Sequence, residues 1–182
     1  MILPFERTYW MIPGKLLAGE IPSAREEETR KNKVQNLVNM GFDTIVNLME
    51  PDETTFSGEL LVDYTPYLCD YAKSREKKVT VNHFPIKDLS ITTPERMKQI
   101  IAHIFNEIEA GKKVYVHCWG GVGRTGTVVG CFLLEQKMAT TENVMETIAY
   151  LKRTTSIADR RSPETDEQMD FILNWPVLKS VL

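Results

Sequence analysis

The stretch from Lys113 to Gln136 limits the possible folds more than any other part of this chain. Lys113-Val114-Tyr115-Val116 is a β-rich run. It points directly into His117-Cys118-Trp119-Gly120-Gly121-Val122-Gly123-Arg124-Thr125. Beyond that loop, Thr125 to Gln136 is strongly apolar, with Val128, Val129, Phe132, Leu133 and Leu134. The order is strand, glycine-rich loop, then a helix apolar on most of its sides. A helix of that kind has to be buried, so other elements must pack around it.

The same stretch carries chemistry. Three glycines between Cys118 and Arg124 permit backbone conformations in which successive N–H groups face one centre. The following helix directs its N-terminal dipole at that point, where an anion is favoured. Arg124 adds a planar fork that holds two phosphate oxygens at once. Trp119, Gly120, Gly121, Val122, Gly123 and Arg124 together are expected to cradle a phosphate. A thiol in that field is expected to ionise readily, which makes Cys118 a nucleophile at neutral pH. His117 is expected to order the loop through hydrogen bonds rather than act as a base, and the Thr125 hydroxyl to donate to the sulfur.

The rest of the chain supplies the frame. Lys15-Leu16-Leu17-Ala18 reads as a strand stopped by Gly19. Val34, Leu37 and Val38 share one helical face, and Gly41 can cap that helix. Thr44 to Leu48 reads as a buried strand, and Val79 to Phe84 as an alternating one. Residues 50–78 carry acidic turns and a Tyr/Pro patch with no clear period. Thr93 and Pro94 open the clearest helix, with Met97, Ile100, Ile101, Ile104, Phe105 and Ile108 at helical spacing and Gly111 at its end. Thr141 is a candidate cap for a helix with Val144, Ile148 and Leu151. Ser162-Pro163-Glu164 is expected to begin the last helix. Strands come early and helices late, giving an α/β fold in which helices flank a central sheet.

The 182 residues fit one domain, 1–182, with 42% hydrophobic and 26% charged residues. A net charge of −3 offers no bulk attraction to nucleic acid or acidic membranes, so any positive field must be local. Three cysteines, at 69, 118 and 131, form no disulfide framework, and no apolar run approaches the about 20 residues of a membrane helix. The N-terminus shows no signal-peptide pattern. A cytoplasmic monomer is expected. Cys131, in the apolar helix, reads as core, and His83 and His103 as structural or exposed.

His117-Cys118, five residues, then Arg124-Thr125 resembles the signature of the cysteine-dependent protein tyrosine phosphatases. Phe84-Pro85-Ile86-Lys87-Asp88, with Asp88 thirty residues before Cys118, is similar to the general-acid loop of the dual-specificity branch. Ser162-Pro163-Glu164-Thr165-Asp166-Glu167-Gln168 resembles the glutamine loop, and Ile12 to Glu20 the opening strand of small members. The resemblance implies a mixed, mostly parallel sheet and a metal-independent, cofactor-free two-step hydrolysis. In it Cys118 attacks phosphorus while Asp88 protonates the leaving oxygen. A water placed by Gln168 then cleaves the phosphocysteine. Asp63 and Asp70 are rivals to Asp88 but lack its Phe-Pro-Ile approach.

The general-acid loop has no Trp-Pro-Asp, Lys87 standing directly before Asp88, and no counterpart of the phosphotyrosine-recognition loop is found, which favours the dual-specificity-like branch. The interior of the loop has no lysine, which favours a singly phosphorylated side chain in a protein or peptide, phosphotyrosine first and phosphoserine or phosphothreonine second. Arg160 and Arg161 are candidate substrate contacts or a second anion site. Alternatives are a phosphatase of inositol phosphates, phospholipids or small phosphate esters, a non-catalytic phosphate-binding module, and a sulfur-transfer or arsenate-reducing enzyme.

Overall fold

The structure is a computed structural model that describes residues 2–55 and 57–176. Five strands form one sheet: β1 (Thr8–Ile12), β2 (Leu16–Gly19), β3 (Thr44–Asn47), β4 (Thr80–His83) and β5 (Val114–His117), in the order β1-β2-β5-β3-β4. β1 runs antiparallel to β2 and every other pair is parallel. The expected mixed, mostly parallel sheet is therefore present. β2 and β5 are buried along their whole length, as strands covered on both faces must be. β4, at the edge, is only partly covered. The parallel strands end level, with Gly19 and Asn47 both opposite His117 and His83 opposite Asn47. The loops leaving those four strands open at one rim, where ligands of open parallel sheets bind.

Among the described residues six helices accompany the sheet: α1 (Glu27–Asn39), α2 (Thr65–Ser74), α3 (Pro94–Glu109), α4 (Gly123–Glu135), α5 (Val144–Lys152) and α6 (Asp166–Leu173). α3, α4 and α5 pack on the sheet and α6 packs on α4, while α1 and α2 pack on each other. Every residue of α4 from Gly123 to Leu134 is buried, so its apolar composition follows from its central place. α3 begins as expected: the Thr93 hydroxyl accepts from Arg96 N at 3.2 Å, with Pro94 behind it. α1 ends as expected, with Gly41 at φ +77° just past its last turn. Among the described residues no helix is long and apolar enough to cross a membrane.

Three local readings need correction. The last helix starts at Asp166 rather than Ser162, because Thr165 and Gln168 form a reciprocal capping box there. α5 is preceded by Asn143 rather than Thr141. The Asn143 side chain closes a turn by accepting from Thr140 N at 2.9 Å, and the Thr141 hydroxyl turns to Glu142. The unassigned stretch 50–78 contains α2. Its buried face has only Leu68 and Ala72, too short a stripe to stand out beside Pro66.

Candidate active site

The loop after β5 closes on itself under heavy constraint. Gly121 sits at φ +72°, and a Cβ there would lie 2.6 Å from the Gly19 carbonyl carbon. No other residue type fits both the angle and the approach. Ile21 N donates to Trp119 O at 3.0 Å, and Ser162 Oγ donates to Val122 O at 2.8 Å. The loop is thus held from the β2 side and from the segment before α6.

His117 is fully buried. Its Nδ1 lies 3.1 Å from Cys118 O and its Nε2 lies 2.7 Å from the Tyr64 hydroxyl. A carbonyl can only accept, so Nδ1 carries the proton and Nε2 accepts from Tyr64. Burial pushes the His117 pKa down to about 3, and burial raises that of Tyr64. The neutral imidazole thus ties Tyr64, at the entry to α2, to the backbone beside the thiol. The Thr125 hydroxyl, expected on the sulfur, donates to Gly19 O at 3.4 Å.

Cys118 is 3% exposed at the floor of a cleft of about 630 Å³. Arg124, 1% exposed, reaches the same cleft. Its fork meets both carboxylate oxygens of Glu53, at 2.9 Å for Nη2 to Oε2. Nη1 also donates to Ile86 O at 3.0 Å, and Nη2 lies 2.9 Å from Asp88 Oδ1. Its Nε is buried and has no acceptor among the described residues. Burial works against the guanidinium charge, but the Glu53 hydrogen bond and the fields of Cys118, Glu53 and Asp88 outweigh it and raise the Arg124 pKa. The geometry leaves a cation held by Glu53, Ile86 O and Asp88, with one donor unused, in the lining of the cleft that Cys118 also lines.

Asp88 is 46% exposed on the cleft wall. Of its rivals, Asp63 closes a turn just before α2 by accepting from Thr65 N at 2.8 Å, and Asp70 is exposed on α2. Gln168 is fully buried behind the loop. Its Oε1 accepts from Glu164 N and Thr165 N, and its Nε2 donates to Ser90 O at 3.0 Å. Arg160 lines the cleft and pairs with Glu164 at 2.6 Å. Arg161 does not line it; it pairs with Asp166 and packs on Met169 sulfur. The two arginines therefore do not form one anion site. Cys131 is core, its thiol pushed up by burial, and Cys69 is exposed on α2.

Sequence reasoning missed Glu53, Tyr64 and Lys152. Lys152 is buried, with Nζ donating to the carbonyls of Ile157, Ala158 and Arg160, which fixes the loop that presents Arg160. Among the described residues no group of three or more His, Cys, Asp or Glu side chains is placed to hold a metal ion.

Comparison with known proteins agrees with this geometry. Residues 5–172 match the family model described as PTP-SAK: Swiss Army Knife protein, DSP-PTPase phosphatase domain. Protein tyrosine phosphatase domain-containing protein 1 of Mus musculus is 26% identical over 129 residues, covering 70% of this chain and 17% of that protein. A phosphatidylglycerophosphate phosphatase of Arabidopsis thaliana is 28% identical over 139 residues, covering 75% of this chain and 52% of that protein. The crystal structure of Tk-PTP in its active form superposes with a TM-score of 0.66 at 24% identity, covering 92% of this chain and 93% of that one. That likeness is one of fold. The chain spans well under two thirds of both curated relatives.

Proposed function

This chain belongs to the Swiss Army Knife DSP-PTPase phosphatase-domain family, within the dual-specificity-like part of the protein tyrosine phosphatase superfamily, and from that premise we propose that it removes the phosphate from phosphotyrosine in proteins through a phosphocysteine. The observation that carries the reading is that Cys118 and Arg124, the latter with one buried donor unused, line the same cleft. A phosphate oxygen satisfies that donor, and the loop amides take the others.

In the first step the Cys118 thiolate attacks phosphorus. The S–P bond forms as the P–O bond to the leaving group breaks, and Asp88 gives its proton to the departing oxygen. In the second step water attacks phosphorus, Asp88 takes a proton back, and the S–P electron pair returns to sulfur. Glu53 holds Arg124 throughout. The incoming phosphate dianion displaces Asp88 from Nη2. That frees the Asp88 carboxyl group to meet the leaving oxygen.

The lysine-free loop supports a singly phosphorylated side chain. The apolar rim of the cleft, with Leu60 69% and Leu89 52% exposed, favours a second reading: a lipid phosphate, as in the Arabidopsis relative. All three cysteines are free, which supports the cytoplasmic expectation, and we take residues 1–182 as one phosphatase unit. Phosphate release from phosphotyrosine peptides, phosphatidylglycerophosphate and phosphoinositides, with Cys118→Ser as control, separates the readings. Turnover of peptides supports the first. Turnover of lipids alone replaces it with the second.

A further inference from the structure

The general-acid segment is held at few points, one of them the contact of Asp88 with Arg124 Nη2 at 2.9 Å. Lys87, Asp88 and Leu89 are all exposed. Leu89 stands at φ +57°, a left-handed conformation that residues with a Cβ avoid. The turn is closed by Ser90 N donating to Lys87 O at 3.1 Å. Upstream, Ile86 is buried and fixed, its N–H on Leu48 O and its carbonyl on Arg124. Downstream, the tie at Ser90 comes from the Gln168 amide, at 3.0 Å.

That amide has one permitted orientation. Its oxygen receives two backbone N–H groups, from Glu164 at 3.1 Å and Thr165 at 3.2 Å. Exchanging oxygen for nitrogen would set donors against donors and leave Ser90 O facing an acceptor. The same amide lies against the phosphate loop: a Cβ on Gly123 would sit 3.1 Å from its oxygen and 3.2 Å from its nitrogen. One buried side chain therefore joins the start of α6, the phosphate loop and the far end of the acid turn.

We infer that Gln168 is a positioning residue for Asp88, acting in the first chemical step by holding the Ser90 carbonyl and with it the left-handed turn that aims the acid. The inference rests on the phosphocysteine mechanism proposed above and gives Gln168 a task beyond placing water. Gln168→Glu is the discriminating variant. It keeps the length and an oxygen for the Glu164 and Thr165 amides, but presents a carboxylate oxygen to the Ser90 carbonyl in place of the donor.

Rapid-quench measurement of phosphocysteine formation and breakdown, with phenyl phosphate as a poor leaving group and p-nitrophenyl phosphate as a good one, tests it. Gln168→Glu should slow formation from phenyl phosphate about 10-fold or more and formation from p-nitrophenyl phosphate far less, a part of the range that general acid catalysis spans. In an Asp88→Asn background it should add little, since the two act as a unit. Amide exchange at residues 87–90 should quicken while that of β5 stays slow. Gln168→Met, which keeps the volume, repeats the test should the glutamate variant fail to fold. Slowed breakdown alone, with formation and exchange unchanged, overturns the inference, as does a loss that multiplies fully with that of Asp88→Asn. Turnover by Cys118→Ser overturns the phosphatase mechanism itself, and the inference with it.

Discussion

The two walls of the cleft are built differently. On one side, from Val114 to Leu134, all residues but Trp119 and Gly120 are buried. The thiol, the loop glycines and Arg124 are set by the packing of a sheet and a central helix. On the other side, Asp88 and Leu89 are exposed on a turn tied by two hydrogen bonds at Ile86, one from Gln168 at Ser90 and the contact of Asp88 with Arg124. In the proposed mechanism a rigid wall suits the group that binds and attacks. A lightly held one suits the proposed acid, which leaves Arg124 when phosphate arrives, because weakly packed segments are the ones that move.

The largest effect should come from the packed wall. Cys118→Ser should cost on the order of 10⁴-fold or more in phosphate release, with an unchanged melting temperature, since the side chain keeps its size. Near-normal turnover would show that the thiol is not the nucleophile. On the open wall, Asp88→Asn should cost about 10²–10⁴-fold with a poor leaving group and much less with a good one. Equal loss with both would remove Asp88 as the acid.

Glu53→Gln acts on the packed wall through Arg124. It leaves the Arg124 fork one neutral acceptor in place of a two-point ion pair. A loss of about 1.4 kcal/mol corresponds to a tenfold fall in kcat/KM, expressed mainly as a raised KM because the phosphate is held in both ground and transition state. A fall confined to kcat would point instead to contact with the reacting atoms.

The smallest effect concerns stability rather than rate. His117 has its pKa lowered from 6.5 to about 3 by burial, so between those values the unfolded chain binds a proton that the folded chain refuses. Stability is then lost as pH falls below 6.5, by up to about 1.4 kcal/mol per pH unit from this group. The melting temperature should drop between about pH 7 and pH 5, and His117→Gln should flatten that slope. An identical slope in the variant would mean that His117 is not held neutral.

The difference between the walls also decides what the sequence discloses. The phosphate loop is readable because its determinants are neighbours in the chain: glycines where the backbone must turn, a strand before, an apolar helix after. Asp88 is readable through the Phe84-Pro85-Ile86 run leading to it. Glu53 is not, because its partner lies 71 residues away and its own surroundings, Glu50-Pro51-Asp52, read as a solvated acidic turn. Tyr64 is hidden in the same way, 53 residues from His117. Arg160 and Arg161 look equivalent in the chain, yet the carbonyl cluster on Lys152 presents the first to the cleft while Asp166 takes the second. Contacts across distance separate such residues, and no local pattern records them.

One experiment goes to the proposed chemistry itself. The protein is quenched in denaturant during turnover of a phosphotyrosine peptide, and its peptides are examined by mass spectrometry. A single phosphate bound to Cys118, absent from Cys118→Ser and persisting longer when breakdown is slowed, is the expected result. Sustained phosphate release with no phosphate ever on Cys118, or with the serine variant as active as the parent, would contradict it.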